Sequence, residues 1–440
     1  MLNRLKQIIP SPLLKLYHYL LAVAADFFYG SPSDKMIVIG VTGTSGKSTV
    51  VYLLAKMLEK AGFKVGAAST IFFKVDKKEW LNDKKMTMIG RFALQKLIKQ
   101  MAKTNCQYAI IETTSQGIEQ FRHLGINYDI LVFTNLYPEH IEAHGNFENY
   151  KKAKLKLFAK LKDDEPKVFA GQKIQKTIIA NLDDENAKDF LANWAEVKSG
   201  FTLTSQSSDL ARVIRAENES ISGAGINFTI QNQLFKSKLF GQHNIYNLLA
   251  VVAVGLTQGL SLSKISEILS EIKNVPGRIE FIEQNQPFKI IVDYAYEPKA
   301  TMALYEIVKT ILHQKVIAVL GSCGGGRDVW RRPVLGEIAA KNADYVIITN
   351  EDPYDEDPLA IINQVADGAI KAGKIIDQNL FIILDRRQAI AKALSLAKTN
   401  DLVLVTGKGS EQAMALANGK LIFWDDRQVV REELAKLNKA

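Results

Sequence analysis

A chain of 440 residues, 47% hydrophobic and 23% charged, is too long for one ordinary core and has the balance of a soluble globular protein. Its net charge of +9 suits phosphorylated partners, and no nucleic-acid-binding motif accompanies the lysines, which argues against a nucleic-acid-binding protein. Two cysteines far apart, Cys106 and Cys323, make no disulfide framework and fit a reducing cytoplasm.

The stretch "LYHYLLAVAADFFYG" follows Arg4, Lys6 and Lys15 and contains an "AVAA" that resembles a signal-peptidase site. His18 interrupts it, Pro10 and Pro12 precede it, and it is too short to span a bilayer. The expectation is a helical segment over 1–35 that packs on the body or lies on a membrane surface or partner. "MIVIGV" (36–41) reads as a buried parallel strand. Val50, Leu53, Leu54, Met57, Leu58 and Ala61 then recur at helical spacing until Gly62 stops them. "YAIIE" (108–112), "DILVFTN" (129–135) and "KTIIAN" (176–181) are further strands, and 146–161 is an amphipathic helix. From 196 to 240 the period falls to two, which predicts a small antiparallel patch, followed by helices near 243–258 and 263–272.

A second α/β series starts near "NVPGR" (274–278), with strands at "KIIVDY", "KVIAVLG", "ADYVIITN", "LFIIL" and "DLVLVTG". This is the pattern of a doubly wound sheet, whose ligands bind at the carboxyl ends of its strands. Those ends carry Asp293, Gly321, Asn350, Asp385 and Gly407. The fold class expected is α/β: a helical segment (1–35), a P-loop central domain with a parallel sheet and an antiparallel patch (36–273), and a Rossmann-like domain (274–440).

"VTGTSGKST" (41–49) sits between a strand and a helix. Such a turn presents backbone N–H groups and a positive helix end to an anion. Gly43, Thr44, Ser45 and Gly46 let the backbone approach phosphates, Lys47 reaches the outer ones, and Ser48, followed by Thr49, offers a hydroxyl to Mg²⁺. The strict GxxxxGK[ST] pattern is not met, because position 41 is Val. Glu112 ends one neighbouring strand; Asn135, Glu139, His140, Glu142 and His144 follow another. A carboxylate and an imidazole beside a triphosphate suit a partly ligated Mg²⁺, whereas zinc at His140 and His144 lacks a third ligand.

Several spaced motifs then agree: "TGTSGKST", "ETTSQG", "TNLYPEHIEAHG", "YKKAKLKLF", "GQHNIYNLLA", "VPGRIE", "DYAYEP", "GSCGGGRDVWRRP", "EDPYDEDP" and "GKGSE". In this order, from about residue 36 to the C-terminus, they resemble the Mur ligases, ATP-dependent enzymes that add amino acids to the peptidoglycan precursor. "VPGRIE", "RDVWRRP" and "GKGSE" resemble the branch adding the third, diamino acid. The resemblance implies an acyl phosphate that an amine attacks, giving an amide, ADP and phosphate. It implies ATP and Mg²⁺ as requirements, with Lys47, Glu112, His140 and Lys154 as catalytic residues and Ser48, Glu112, His140 and Lys154 around the metals. Lys154 matches a lysine that the family carbamylates; residue physics alone makes it a solvated helix lysine. Asn135, Asn244, Asn247, Arg278 and Asp293 would meet ATP. Thr114, Ser115, Arg327, Glu351, Asp352, Tyr354, Gly407 and Glu411 would meet the muramoyl-peptide precursor and the diamino acid. A monomer is expected.

Three departures qualify this. About 35 residues precede the ATP domain, too few for the family's UDP-binding domain. The family's Asp-Asn-Pro-Arg is Glu351-Asp352-Pro353-Tyr354, which removes a bidentate carboxylate donor. The His of "DYAH" is Tyr296. Rival readings are a short ligase that amidates a lipid-linked precursor or extends polyglutamate, and a P-loop switch that makes no product. The acids at 351 and 352 favour a distal amine, while the remaining motifs favour diaminopimelate.

Overall fold

The computed structural model describes residues 11–138, 144–326 and 329–437. Its first part runs α1 (Ser11–Tyr29), β1 (Ile37–Thr42), α2 (Lys47–Lys60), β2 (Val65–Ala68), β3 (Phe72–Val75), β4 (Lys78–Leu81), α3 (Arg91–Lys103) and β5 (Tyr108–Glu112). There follow α4 (Ser115–Glu119), β6 (Ile130–Phe133), α5 (Phe147–Lys160), the hairpin β7 (Lys167–Phe169) and β8 (Gln172–Ile174), β9 (Thr177–Asn181), α6 (Ala187–Leu191), β10 (Val197–Thr202) and β11 (Arg212–Arg215). Nine of these strands form one sheet in the order β11-β10-β9-β6-β1-β5-β2-β3-β4. All of β1 is buried, as a strand covered on both faces must be. It lies between β5 and β6, both parallel to it, with Ile39 level with Ile110 and Ile130. The chain therefore leaves the sheet's middle in both directions. The loops after β1, β5 and β6 meet at the resulting crevice, where open α/β sheets bind ligands.

The sequence predicted an antiparallel patch over 196–240. The patch is narrower: β12 (Glu217–Ser222), β13 (Gly225–Ile230) and β14 (Gln233–Ser237) form a separate antiparallel sheet. β10 and β11 pair parallel and extend the large sheet instead. Then come α7 (Gln242–Thr257) and α8 (Leu262–Ser270). α7 buries most of its length against α2 and the sheet, which its apolar run from Leu248 to Val254 requires.

The second part holds β15 (Glu280–Phe281), β16 (Lys289–Asp293), α9 (Pro298–Lys309), β17 (Val316–Leu320), α10 (Arg331–Asn342), β18 (Tyr345–Ile348) and α11 (Pro358–Lys371). It ends with β19 (Leu380–Ile382), α12 (Arg386–Leu396), β20 (Leu402–Thr406), the hairpin β21 (Ala413–Ala415) and β22 (Leu421–Phe423), and α13 (Asp426–Leu437). Its six-stranded sheet runs β15-β16-β20-β17-β18-β19, and every pair except β15–β16 is parallel. Apolar residues cover both faces in two clusters, as the doubly wound pattern requires.

α1 buries Ala22 and Ala25 and leaves Leu13, Leu16, Tyr17, Leu20, Val23, Phe27 and Phe28 exposed. Among the described residues no helix is long and apolar enough to cross a membrane. Beneath the large sheet, the fully buried Asp129 carboxylate pairs with Lys167 at 2.6 Å and Lys176 at 3.0 Å and accepts from the Val38 N–H at 2.9 Å. The three charges sit at the amino ends of the central strands, remote in the topology from the crevice.

Candidate active site

At the crevice, α2 starts at Gly46 with no side-chain cap, so its first N–H groups face outward. Gly43 has φ +154° and lies so close to Thr134 that a Cβ there would come within 1.9 Å of its hydroxyl. The Asn135 side chain accepts from the Ser45 N–H at 2.9 Å, and its backbone carbonyl accepts from the Thr44 N–H at 2.9 Å. The loop is thus braced from β6 while Lys47 lies over it, its ammonium donating to the Thr44 carbonyl at 2.7 Å. Thr49 is buried in the first turn of α2.

Glu112 is buried at the end of β5 and accepts from the Ser48 hydroxyl at 3.0 Å, the Thr70 N–H at 2.8 Å and the Thr70 hydroxyl at 3.2 Å. Hydroxyl and carboxylate oxygens side by side below a phosphate-type turn fit a hard cation that keeps some of its waters. The Thr70 hydroxyl also meets that of Thr87 at 2.7 Å.

Lys154 is not the solvated lysine that residue physics predicted. It is 1% exposed, donates to the Gly43 carbonyl at 2.8 Å and lies 4.5 Å from the centre of the Tyr150 ring. The reason is the helix register: Tyr150, Ala153, Lys154, Leu157 and Phe158 form the buried stripe of α5. The Tyr150 hydroxyl lies 3.1 Å from that of Thr44, so the lysine and tyrosine reach the loop together.

His140, with Glu139 and Glu142, lies outside the described residues, as does Arg327. His144 is placed: its Nε2 is 3.0 Å from the Ser115 hydroxyl, and burial holds its pKa below the usual imidazole value. Thr114 caps α4, accepting from the Gly117 N–H at 3.1 Å. On α7, Asn247 donates to Asn244 at 2.8 Å, the pairing that three-residue spacing predicts. Asn247 also sits over the phosphate-type loop; a Cβ at Gly46 would lie 2.3 Å from its amide oxygen.

The second sheet contributes from its carboxyl ends. Buried Asp293 accepts from the N–H groups of Ile279 and Ala295, both at 2.7 Å. Burial raises its pKa, partly opposed by Arg278. The Arg278 guanidinium stacks 4.2 Å from the Tyr294 ring centre. Tyr296, where the family has His, packs against Tyr294 and Arg331.

Glu351, Asp352 and Glu411 converge with two lysines that sequence reasoning passed over. Lys408 is fully buried and reaches both Asp352 oxygens at 3.0 Å, Glu411 at 2.6 Å and the Ala413 carbonyl at 2.7 Å. Lys85, from the loop after β4, pairs with Asp352 and lies 3.2 Å from Glu411. Burial pushes the Asp352 pKa up, but the two ammoniums outweigh it and hold it below the carboxylate range. Glu351 goes the other way: burial raises it, with Arg386 only partly opposing. Its Oε1 accepts from the Cys323 thiol at 3.0 Å, and its Oε2 has no partner among the described residues. That oxygen lies against Gly407 (φ +106°), where a Cβ would come within 2.2 Å of it. Tyr354 bonds through its backbone to Ala415. The acid surplus expected from the sequence is therefore corrected: Asp352 and Glu411 are already balanced by Lys408 and Lys85. Lys408 lies inside "GKGSE" and was open to notice; Lys85 lies in a stretch with no periodic signal.

A phosphate-type loop on one sheet, facing a charged pocket on the carboxyl edge of a second α/β body, defines a two-body nucleotide-dependent ligase. Residues 41–255 match the Mur ligase middle domain, and 277–409 match the Mur ligase glutamate ligase domain. The chain is 36% identical to the UDP-N-acetylmuramyl-tripeptide synthetase of Roseiflexus sp. (strain RS-1), over 98% of this chain and 85% of that one. It is 32% identical to the UDP-N-acetylmuramoyl-L-alanyl-D-glutamate–2,6-diaminopimelate ligase of Bacillus cereus, over 97% and 84% of the two chains. A solved structure of a protein of the latter name is 28% identical, with a TM-score of 0.59 over 92% of this chain and 79% of that one. The Mycobacterium tuberculosis folylpolyglutamate synthase shares the fold, with a TM-score of 0.66 at 15% identity over 88% and 92% of the chains. The chain belongs to the Mur ligase family: it is an ATP-dependent ligase of peptidoglycan precursor synthesis that joins an acid to an amino acid.

Proposed function

We propose that this enzyme adds a diamino acid to a muramoyl-L-alanyl-D-glutamate-type acceptor through an acyl phosphate. The observation carrying this reading is that one loop joins the two halves of the site. Ser48 and Glu112 lead through Thr70 to Thr87, and two residues back along the same loop Lys85 puts its ammonium into the Asp352–Glu411 pocket. A phosphorylated carboxylate formed at the loop would thus face an amine held in the pocket. In the first step the acceptor carboxylate oxygen takes the γ-phosphoryl group and ADP leaves. In the second the deprotonated amine nitrogen attacks the acyl carbon and the C–O bond to phosphate breaks, giving the amide and inorganic phosphate.

Lys47 and the open N–H groups of α2 would meet charge on the transferring group. Ser48 and Glu112 fit Mg²⁺, with His140 and Lys154 completing the set; the ion supplies positive charge against the phosphoryl oxygens. Carbamylation of Lys154 would turn a buried cation beside the Gly43 carbonyl into an anionic ligand. Asn135, Asn244, Asn247, Arg278 and Asp293 would hold ATP, and Thr114 and Ser115 the acceptor. The enzyme acts as a cytoplasmic monomer, with α1 free to meet a partner or membrane surface.

ADP release measured against a panel of acceptors and amino acids tests the reading. Release should require both. ADP formed with neither present would instead support a P-loop switch, and release with a lipid-linked or polyglutamate acceptor alone would support the short-ligase alternative. Lys154→Ala should lose activity and regain part of it with added acetate; a fully active variant would remove Lys154 from the site.

A further inference from the structure

The charged pocket has two features that its family motifs leave unassigned. One is Lys85, which comes from the other body. Its turn is built for it: Asn82 donates to the carbonyls of Ser69 at 2.8 Å and Met86 at 3.0 Å and accepts from the Lys84 N–H at 2.8 Å. Lys85 itself holds a left-handed φ of 48°, a conformation that a side chain with a Cβ adopts only where its surroundings enforce it. Its side chain is 9% exposed. The other feature is the Glu351 Oε2, buried and without a partner among the described residues.

The hydrogen-bond inventory separates what is filled from what is open. Asp352 is filled from its own body by Lys408 and the Ala415 N–H, and Glu411 by Lys408 and the Tyr294 hydroxyl at 3.1 Å. Lys408 spends its donors on Asp352, Glu411 and Ala413. An ammonium has three N–H donors, and Lys85 has two acceptors, so one donor remains open among the described residues. The two residues that carry the open acceptor and the open donor both border Asp352. The Cys323 sulfur and one oxygen each of Glu351 and Asp352 lie within 4.8 Å of one another, and Lys85 sits on Asp352. A group that answers both must bring an ammonium and a carboxylate close together. The distal head of diaminopimelate is such a group. The ε-ammonium of lysine answers Glu351 and leaves the third donor of Lys85 unanswered.

We propose that Lys85 is a specificity-determining residue: it binds the distal carboxylate of the incoming diamino acid, supplying from the first body the cation that Tyr354 does not. This rests on the ligase reading above. It also explains how a pocket with Glu and Asp at 351 and 352 can take a dicarboxylate, because its net charge with both lysines is far less negative than the motif suggests.

The test compares kcat/KM for meso-diaminopimelate and for lysine, with the muramoyl-dipeptide acceptor, in the wild type, Lys85→Met, Lys85→Arg and the double variant Lys85→Met/Tyr354→Arg. Met keeps the apolar stem and removes the charge. The wild type should prefer diaminopimelate. Lys85→Met should lose at least 30-fold on diaminopimelate, chiefly through KM, and less than 3-fold on lysine. Lys85→Arg should keep the preference, and the double variant should recover most of it. Equal losses on both amino acids in Lys85→Met would overturn the assignment, leaving Lys85 a closure contact only. So would a wild type that uses lysine exclusively. A wild type that turns over with neither amino acid would overturn the ligase reading itself, a result distinct from these.

Discussion

His123 makes a measurable statement about acid stability. The ring is 5% exposed, its Nδ1 has no partner among the described residues, and it borders a cavity of about 430 Å³ lined by Lys15, Ile118, Phe121 and Lys156. Burial, with Lys160 and Lys156 adding to it, lowers its pKa from 6.5 to about 3. Below pH 6.5 the unfolded chain binds a proton that the folded chain refuses, so stability falls as pH falls and is fully present only above 6.5. At pH 5 the folded ring is still neutral while the unfolded one is 1.5 pH below its midpoint, a loss of about 2 kcal/mol at 1.36 kcal/mol per tenfold. The variant His123→Phe keeps an aromatic ring and removes the titration. Urea unfolding of both proteins at pH 7.5 and pH 5.0 isolates the term, because all other groups titrate alike in the two. The wild type should lose about 2 kcal/mol more than the variant over this interval. Equal losses, within about 0.5 kcal/mol, would mean that the ring is solvated or paired in the folded protein and that the burial argument fails.

Lys47→Ala should lower ADP formation by a factor of roughly 100 or more while Tm moves little, since the side chain's hydrogen bond is to its own loop. Near-normal turnover would refute the phosphate assignment. Glu112→Gln keeps the shape of a buried acceptor of three hydrogen bonds and removes its charge, so activity should fall and return in part at high Mg²⁺. A variant with the wild-type Mg²⁺ dependence would exclude Glu112 as a ligand. Asp129→Ala strands two buried ammoniums and should cost about 3–5 kcal/mol, a drop in Tm of about 10 °C by calorimetry; a drop under about 3 °C would show that water reaches the site. Removing residues 1–35 should lower stability more than ATP affinity and should leave uridine nucleotide binding unchanged, since α1 is one helix and no βαβ unit. Tight UDP binding lost on removal would contradict this.

Strands and helices with a long or fully apolar pattern were legible: β5 coincides with "YAIIE", and α5 and α7 lie within one residue of the stretches read from spacing. β2, β3 and β4 were not, because each has only four residues and no period can show in so few. β10 and β11 were drawn into the antiparallel patch because "GINFTI" alternates and the alternation was extended too far upstream. The site was legible where chemistry is local, as in Gly43 to Ser48, and where motifs order it, as with Glu112 and Asn247. The burial of Lys154 was also present in the sequence, since it occupies the stripe of Tyr150, Ala153, Leu157 and Phe158. What no local pattern carries is pairing across 267 residues, such as Lys85 with Asp352.

The assembly of the nucleotide crevice bears on how the chain is made. β1 finds its neighbours only at Tyr108–Glu112 and Ile130–Phe133, and the loop after it is overlaid by Asn247. At a synthesis rate of about 5–20 residues per second, on the order of 10–40 s separate the emergence of Gly46 from that of Asn247. During that interval β1, apolar on both faces, has no complete sheet to enter. The nascent protein is thus most exposed to mispairing before its middle third is translated, and slowing the ribosome after residue 60 should lower the yield of soluble enzyme more than slowing it after residue 260.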